Sequence, residues 1–201
     1  MKKIVLLAAF IVGGIGAMNA QEMFQFGVKG GANFASITNG NDAYDNESGR
    51  TSFNIGVLAE IPVSEKFSIQ PEVLYSAQGA TLISRDEDNI FDTDENVEYQ
   101  LDYIQVPVLA KVYLVDGLNF QVGPSFNFKA NEEIDYAPQD DGGDVNLDEA
   151  KSFDMGAAAG LEYKFNNGFF INGRYTYGFT ELYDNSDLHN SVIQAGVGFM
   201  F

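Results

Sequence analysis

The chain has 201 residues, no cysteine, and 29 acidic against 11 basic residues, for a formal net charge of −18 at neutral pH. Disulfide support is therefore excluded, and so is phosphate-directed nucleic-acid binding, whose affinity comes from cationic side chains releasing counterions. Seventeen Phe, ten Tyr and 21 Gly beside such an acidic excess do not describe an ordinary soluble domain.

Lys2 and Lys3 precede an apolar run from Ile4 to Ala17, and Ala20 offers a small residue for cleavage. Residues 1–20 thus read as an export signal and residues 21–201 as the domain it delivers. The run is short for a membrane-spanning helix, which needs about 20 apolar residues. Beyond it, no window sustains a 3.6-residue period; period two takes over. The expected strands are Met23–Ile37, Thr51–Ile61, Phe67–Ile83, Val97–Leu114, Leu118–Ala130, Ser152–Phe165, Phe169–Leu182 and Ser191–Phe201. Nearly all are longer than the five or six residues typical of soluble sheets, and about 9–11 residues carry a tilted strand across a bilayer.

Short and long connections alternate between these strands. "PVSEK", "VDG" and "NNG" supply tight turns, whereas Thr38–Arg50, Ser84–Asn96, Asn131–Lys151 and Tyr183–Asn190 are long. All tight turns then fall at one end and all long loops at the other, the plan of a barrel with turns in the periplasm and loops outside.

Alternation settles which face looks inward. Leu118, Phe120, Val122, Phe126 and Phe128 oppose Asn119, Gln121, Gly123, Ser125, Asn127 and Lys129; Phe169, Ile171, Tyr175 and Tyr177 oppose Asn172, Arg174, Thr176 and Gly178. Eight strands enclose room for side chains or one small ligand, so the large apolar set overfills such an interior. The small and polar set fits it, leaving an outer apolar band for lipid. Two aromatic rings are expected at the bilayer interfaces. Phe26, Phe67, Phe165, Phe169 and Phe199 stand at the turn end, and Phe34, Phe53, Tyr75, Phe128, Phe153 and Tyr177 at the loop end. In strand four, Tyr99, Leu101 and Tyr103 share one phase with each other, while Ile104, Val106 and Val108 occupy the opposite one. A bulge or bend near Tyr103 is expected.

On these phases the lumen receives Lys29, Glu60, Glu72, Lys111, Lys129, Asp154, Glu162, Lys164 and Arg174, five bases and four acids. Desolvated charges need partners, which predicts a salt-bridged plug; a narrow cation-selective or small-solute channel is the alternative. The loops carry most of the acids, including Asp86, Glu87, Asp88, Glu132, Glu133, Asp140, Asp141, Asp184 and Asp187. Such oxygen-rich loops suit weak divalent-cation binding. "DTDENV" opens like a calcium loop with Asp92, Asp94 and Asn96, but Val97 takes the place of the turn glycine. His189, the single histidine, lies near Asp184, Ser186 and Asp187, which leaves surface hydrolysis as a weaker reading. No phosphate-cradling loop or zinc spacing is present. The closing "SVIQAGVGFMF" alternates back from Phe201 through Phe199 and Val197, like the terminal signal by which outer-membrane barrels engage their assembly machinery.

"GVKGGANFAS", "DYIQVPVLAKVYL", "FDMGAAAGLEYKF", "GRYTYGFTEL" and "NSVIQAGVGFMF" resemble the PorT-like outer-membrane β-barrel family of Bacteroidetes-type bacteria, over most of residues 21–201. The resemblance implies an outer-membrane barrel. One member group is tied to protein secretion and gliding, and the family brings no catalytic residues. The combined expectation is an all-β, eight-stranded, antiparallel up-and-down transmembrane β-barrel preceded by a signal peptide. It sits in outer-membrane lipid with both termini periplasmic, needs no cofactor, and acts non-enzymatically on an extracellular or periplasmic protein partner through acidic loops.

Overall fold

A computed structural model describes residues 24–39, 49–83, 96–135, 145–146, 150–183 and 187–201. The signal at 1–20, Ser186 and most of the acidic loop residues, Asp92, Asp94 and Asp184 among them, lie outside the described residues. The strands are β1 (Gln25–Asn39), β2 (Arg50–Ser64), β3 (Phe67–Ile83), β4 (Asn96–Tyr113), β5 (Leu118–Asp135), the two-residue β6 (Val145–Asn146), β7 (Phe153–Lys164), β8 (Phe169–Gly178) and β9 (Leu188–Met200). No helix occurs among the described residues.

β1 to β5 pair antiparallel in succession, as do β7 to β9, and β5 pairs antiparallel with β7. β9 returns to β1 from Gly27↔Met200 to Asn39↔Leu188, which closes eight strands into a barrel. β6 touches only the outer end of β5, through Glu133↔Asn146 and Ile134↔Val145. The tight turns sit where their chemistry places them: Gly117 and Gly168 adopt φ of +81° and +87°, conformations open to glycine because it lacks a Cβ. Closure at eight strands also curls the wall sharply. At inward Gly123 a Cβ would meet the Val108 carbonyl oxygen at 2.0 Å, so the bend there requires glycine.

The faces divide by parity. On β2 and β9, Phe53, Ile55, Val57, Ile193, Val197 and Phe199 are exposed while Asn54, Leu58, Glu60 and Gln194 are buried. An apolar outer surface of this extent requires a non-aqueous surrounding. Ring contacts gather at its two borders: Phe53–Tyr75, Phe128–Phe153 and Tyr177–Phe179 at the loop end, and Tyr163–Phe165, Phe165–Phe169 and Phe199–Phe201 at the turn end.

Three local differences from the sequence reading have identifiable causes. β8 stops at Gly178 rather than Leu182, because the Phe179 and Thr180 amides turn to the Met155 carbonyl and the Asp154 carboxylate. β5 runs on to Asp135 because β4 supplies partners up to Glu98. The register does shift between Asp102 and Tyr103, but the extra residue is Ala130 on β5, since Tyr103 pairs with Lys129 and Asp102 with Asn131. β4 keeps its phase. Tyr99, Leu101 and Tyr103 therefore point inward with Gln105, Leu109 and Lys111, and β5 changes phase instead, turning Glu132 into the lumen.

Candidate functional site

The lumen is the place where charged and polar side chains from all eight wall strands meet. Near the turn end, Lys111 Nζ donates to Glu162 (2.7 Å), Gln70 (2.9 Å) and Glu60 (3.1 Å). Glu60 also accepts from Lys164 at 3.1 Å and from the Tyr113 hydroxyl, while Asn119 and Gln121 complete Glu162. At mid-barrel, Arg174 forks onto both oxygens of Glu72 at 2.8 and 2.7 Å, and Lys29 adds a third cationic contact at 3.4 Å. Gln70 and Gln121 bridge these two groups. Above them lies a neutral layer in which Asn33, Asn54, Ser76, Gln78, Gln105, Ser125 and Gln194 hydrogen-bond across the bore.

The small residues make this packing feasible. Among the inward positions of β1, β7 and β9, Gly31, Gly156, Ala158, Gly160, Gly196 and Gly198 are small, which leaves room at those levels for long side chains from β3, β4, β5 and β8. Phe170 lies directly against Gly198, where a Cβ would meet its ring at 2.2 Å, and joins Leu58 and Met200 in a small apolar cluster.

The loop end is closed by an apolar lid: Tyr99, Leu101, Tyr103, Ala150 and Leu182, with Ile37, Ile134, Tyr183 and Leu188 packed against them. Glu132 organises it. Its carboxylate accepts from Lys129 (2.7 Å), the Tyr99 hydroxyl (2.8 Å) and the Ala150 amide (3.0 and 3.1 Å), and the Tyr183 hydroxyl donates to Tyr99 at 2.8 Å. One carboxylate thus ties both long loops, at Ala150 and at Tyr183, onto the end of the bore. Glu132 stands beyond the aromatic ring and outside the membrane-spanning part. Burial pushes its carboxyl up, but Lys129, Tyr99 and Ala150 together hold it below the usual carboxylate range.

Of the nine charges assigned to the lumen from sequence, seven lie in these two groups, Lys129 bonds to Glu132 under the lid, and Asp154 lies just below the lid, bonded to Asn127 at 2.9 Å and to the Thr180 amide at 3.3 Å. Glu132 is a tenth, missed because period two carried across Ala130 puts it in the outer loop. The signal that could have found it is the run Lys129–Ala130–Asn131–Glu132, where a one-residue insertion would restore a pair at i, i+3. His189 stacks on Tyr177 with ring centroids 5.6 Å apart, and its backbone carbonyl accepts from Thr38. Those contacts fix it as a wall residue of β9. Of the terminal trio, Val197 and Phe199 face outward on β9, and the Phe201 amide bonds to the Phe26 carbonyl at 2.7 Å.

The family described as "Outer membrane protein beta-barrel domain" matches residues 19–184. No curated protein matches by sequence. Among solved structures, the fold is similar to that of Neisserial surface protein A, with 13% identity over 90% of this chain and 100% of that one and a TM-score of 0.60. It is also similar to Ail, the attachment invasion locus protein of Yersinia pestis in complex with the heparin analogue sucrose octasulfate, with 13% identity over 89% and 99% and a TM-score of 0.52. At such identity the likeness concerns the fold alone.

Proposed function

The chain belongs to the family of outer-membrane protein β-barrel domains, and on that premise we propose that it is a sealed, non-enzymatic barrel of the outer membrane that presents acidic loops to a protein partner. The protein resides in the cell outer membrane, surrounded by lipid. What carries the reading is that the bore is bridged side to side by the Glu72 and Glu60–Glu162 networks and then covered by the Tyr99–Leu101–Tyr103 lid. A conducting pore needs a continuous aqueous path, and ions crossing this one would have to break fully desolvated ion pairs. Steady single-channel current across a planar bilayer at neutral pH is the outcome that defeats the sealed reading in favour of a narrow channel.

Residues 1–20 serve as the export signal in this proposal, and Phe201, Phe199 and Val197 as the element recognised by the barrel assembly machinery. The tight turns face the periplasm and the long loops face outward. The PorT-like motifs narrow the family assignment. The acids of the loops favour basic partners and weak divalent-cation binding, and they oppose polyanions. A sulfated ligand of the kind named for Ail is therefore expected to bind this chain poorly. Capture of surface-exposed basic proteins by the folded barrel, lost on neutralising Asp140, Asp141 and Asp144, tests the interaction role.

A further inference from the structure

The lumen charges fall into four groups. Lys111 and Lys164 balance Glu60 and Glu162; Lys129 balances Glu132; Lys29 and Arg174 exceed Glu72 by one positive charge. Asp154 forms the fourth group: among the described residues no lysine or arginine pairs with it, and the basic side chain within its electrostatic range is the imidazole of His189. The surplus cation does not serve it. Arg174 pairs with Gly160, six residues from Asp154 along β7, roughly 20 Å at the rise of an extended strand.

The surroundings of Asp154 are rich in unpartnered oxygens. Thr176 is three per cent exposed and its hydroxyl has no partner; Asn190 is four per cent exposed and its carbonyl oxygen has none; Tyr103 is fully buried and its hydroxyl has none. Register brings them together. Gly156↔Gly178 and Ala158↔Thr176 join β7 to β8, and Asn190 follows the Tyr177↔Ser191 pair on β9. A Cβ on Gly178 would lie 2.7 Å from an Asp154 oxygen, so the carboxylate lies over Gly178, at the level of the wall next to Thr176 and Asn190. Tyr103, on β4, lies within electrostatic range of Asp154. The lid sits immediately above, since Leu101 and Tyr99 are the next inward residues of β4.

We propose that Asp154, Thr176, Asn190 and Tyr103 form a binding site for one small monovalent cation, enclosed between the lid and the neutral layer of the lumen. The set is made of oxygens and suits a hard ion. It holds one negative charge, which matches a singly charged ion, whereas a divalent site draws on several carboxylates. Buried hydroxyls and amides without partners are costly unless something between them uses their lone pairs. The site stands independently of what the outer loops engage.

The test uses the full folded barrel in detergent. Thermal unfolding midpoints are compared in sodium chloride, potassium chloride and choline chloride at one ionic strength and pH. The expected result is a saturable rise in sodium or potassium over choline, abolished in Asp154→Asn and retained in Asp187→Asn, which removes an exposed loop carboxylate. Thr176→Val keeps the side-chain shape, and it should raise the half-saturating concentration by roughly fivefold, the usual loss for one polar contact. This second variant decides the matter where Asp154→Asn does not fold. Equal midpoints in the three salts for the unaltered chain overturn the proposal. So does an undiminished sodium or potassium effect in either lumen variant, which would assign the cation to the loops.

Discussion

Arg174 on β8 holds Glu72 on β3 through two parallel hydrogen bonds across the full width of the barrel, although 102 residues separate them in the chain. Both side chains are essentially inaccessible. This pair, more than any cross-strand contact, defines the bore as a solid polar core with a lipid-facing exterior, the reverse of a soluble domain.

Removing Glu72 leaves both Lys29 and Arg174 without their carboxylate in a dry interior. Glu72→Ala should destabilise the barrel by about 3–5 kcal/mol, and Arg174→Met, which leaves the Lys29–Glu72 pair in place, should cost less. Guanidinium unfolding in lipid vesicles measures both. A Glu72→Ala barrel as stable as the parent would mean that water reaches mid-barrel.

Val197 is half exposed and faces outward, whereas Gln194, three residues earlier, is buried. Val197→Arg should cost about 2–4 kcal/mol where it faces mid-bilayer hydrocarbon. Gln194→Arg meets the Asn33–Gln105 layer instead, and its effect should depend on those partners. Equal small losses at both positions, read by the same unfolding titration, would contradict the face assignment.

Glu132 is the shared acceptor of the lid. Glu132→Ala strands the Ala150 amide at a cost of about 1–3 kcal/mol and removes the carboxylate from Lys129, whose ammonium keeps the Ala150 carbonyl at 2.6 Å. Trypsin cleavage at Lys151 should accelerate by about tenfold or more, because proteolysis follows the population of the locally opened state. The heat-shift of the barrel on a gel should persist, since the wall pairing Leu101↔Glu132 belongs to the backbone and does not use the carboxylate. Unchanged cleavage would remove Glu132 from this role.

Acid should loosen the same element. The folded Glu132 carboxyl titrates below its ordinary value, about 4.3 in an unstructured chain. A depressed value stabilises the closed lid above that point, and the contribution disappears as pH falls through the lower folded value. Hydrogen exchange at Ala150 and Leu182, corrected for intrinsic rates, should rise between pH 5 and about pH 3 in the parent chain. Glu132→Gln should flatten that dependence.

Strand number, the alternation of tight and long connections and the inward direction of nine charges were legible in the residues themselves. Period two along a strand fixes opposite faces locally, and a narrow bore admits only the smaller, polar face. The partners of those charges were not legible. Lys111 meets Glu60 and Glu162 only because β9 closes on β1 and curls the sheet until opposite walls touch. The lid depended on a single inserted residue: Ala130 turns Glu132 inward and leaves Tyr99, Leu101 and Tyr103 in phase with Lys111. A bulge shifts one strand against its neighbour, so its location is a property of the pair, and the sequence of either strand alone does not contain it.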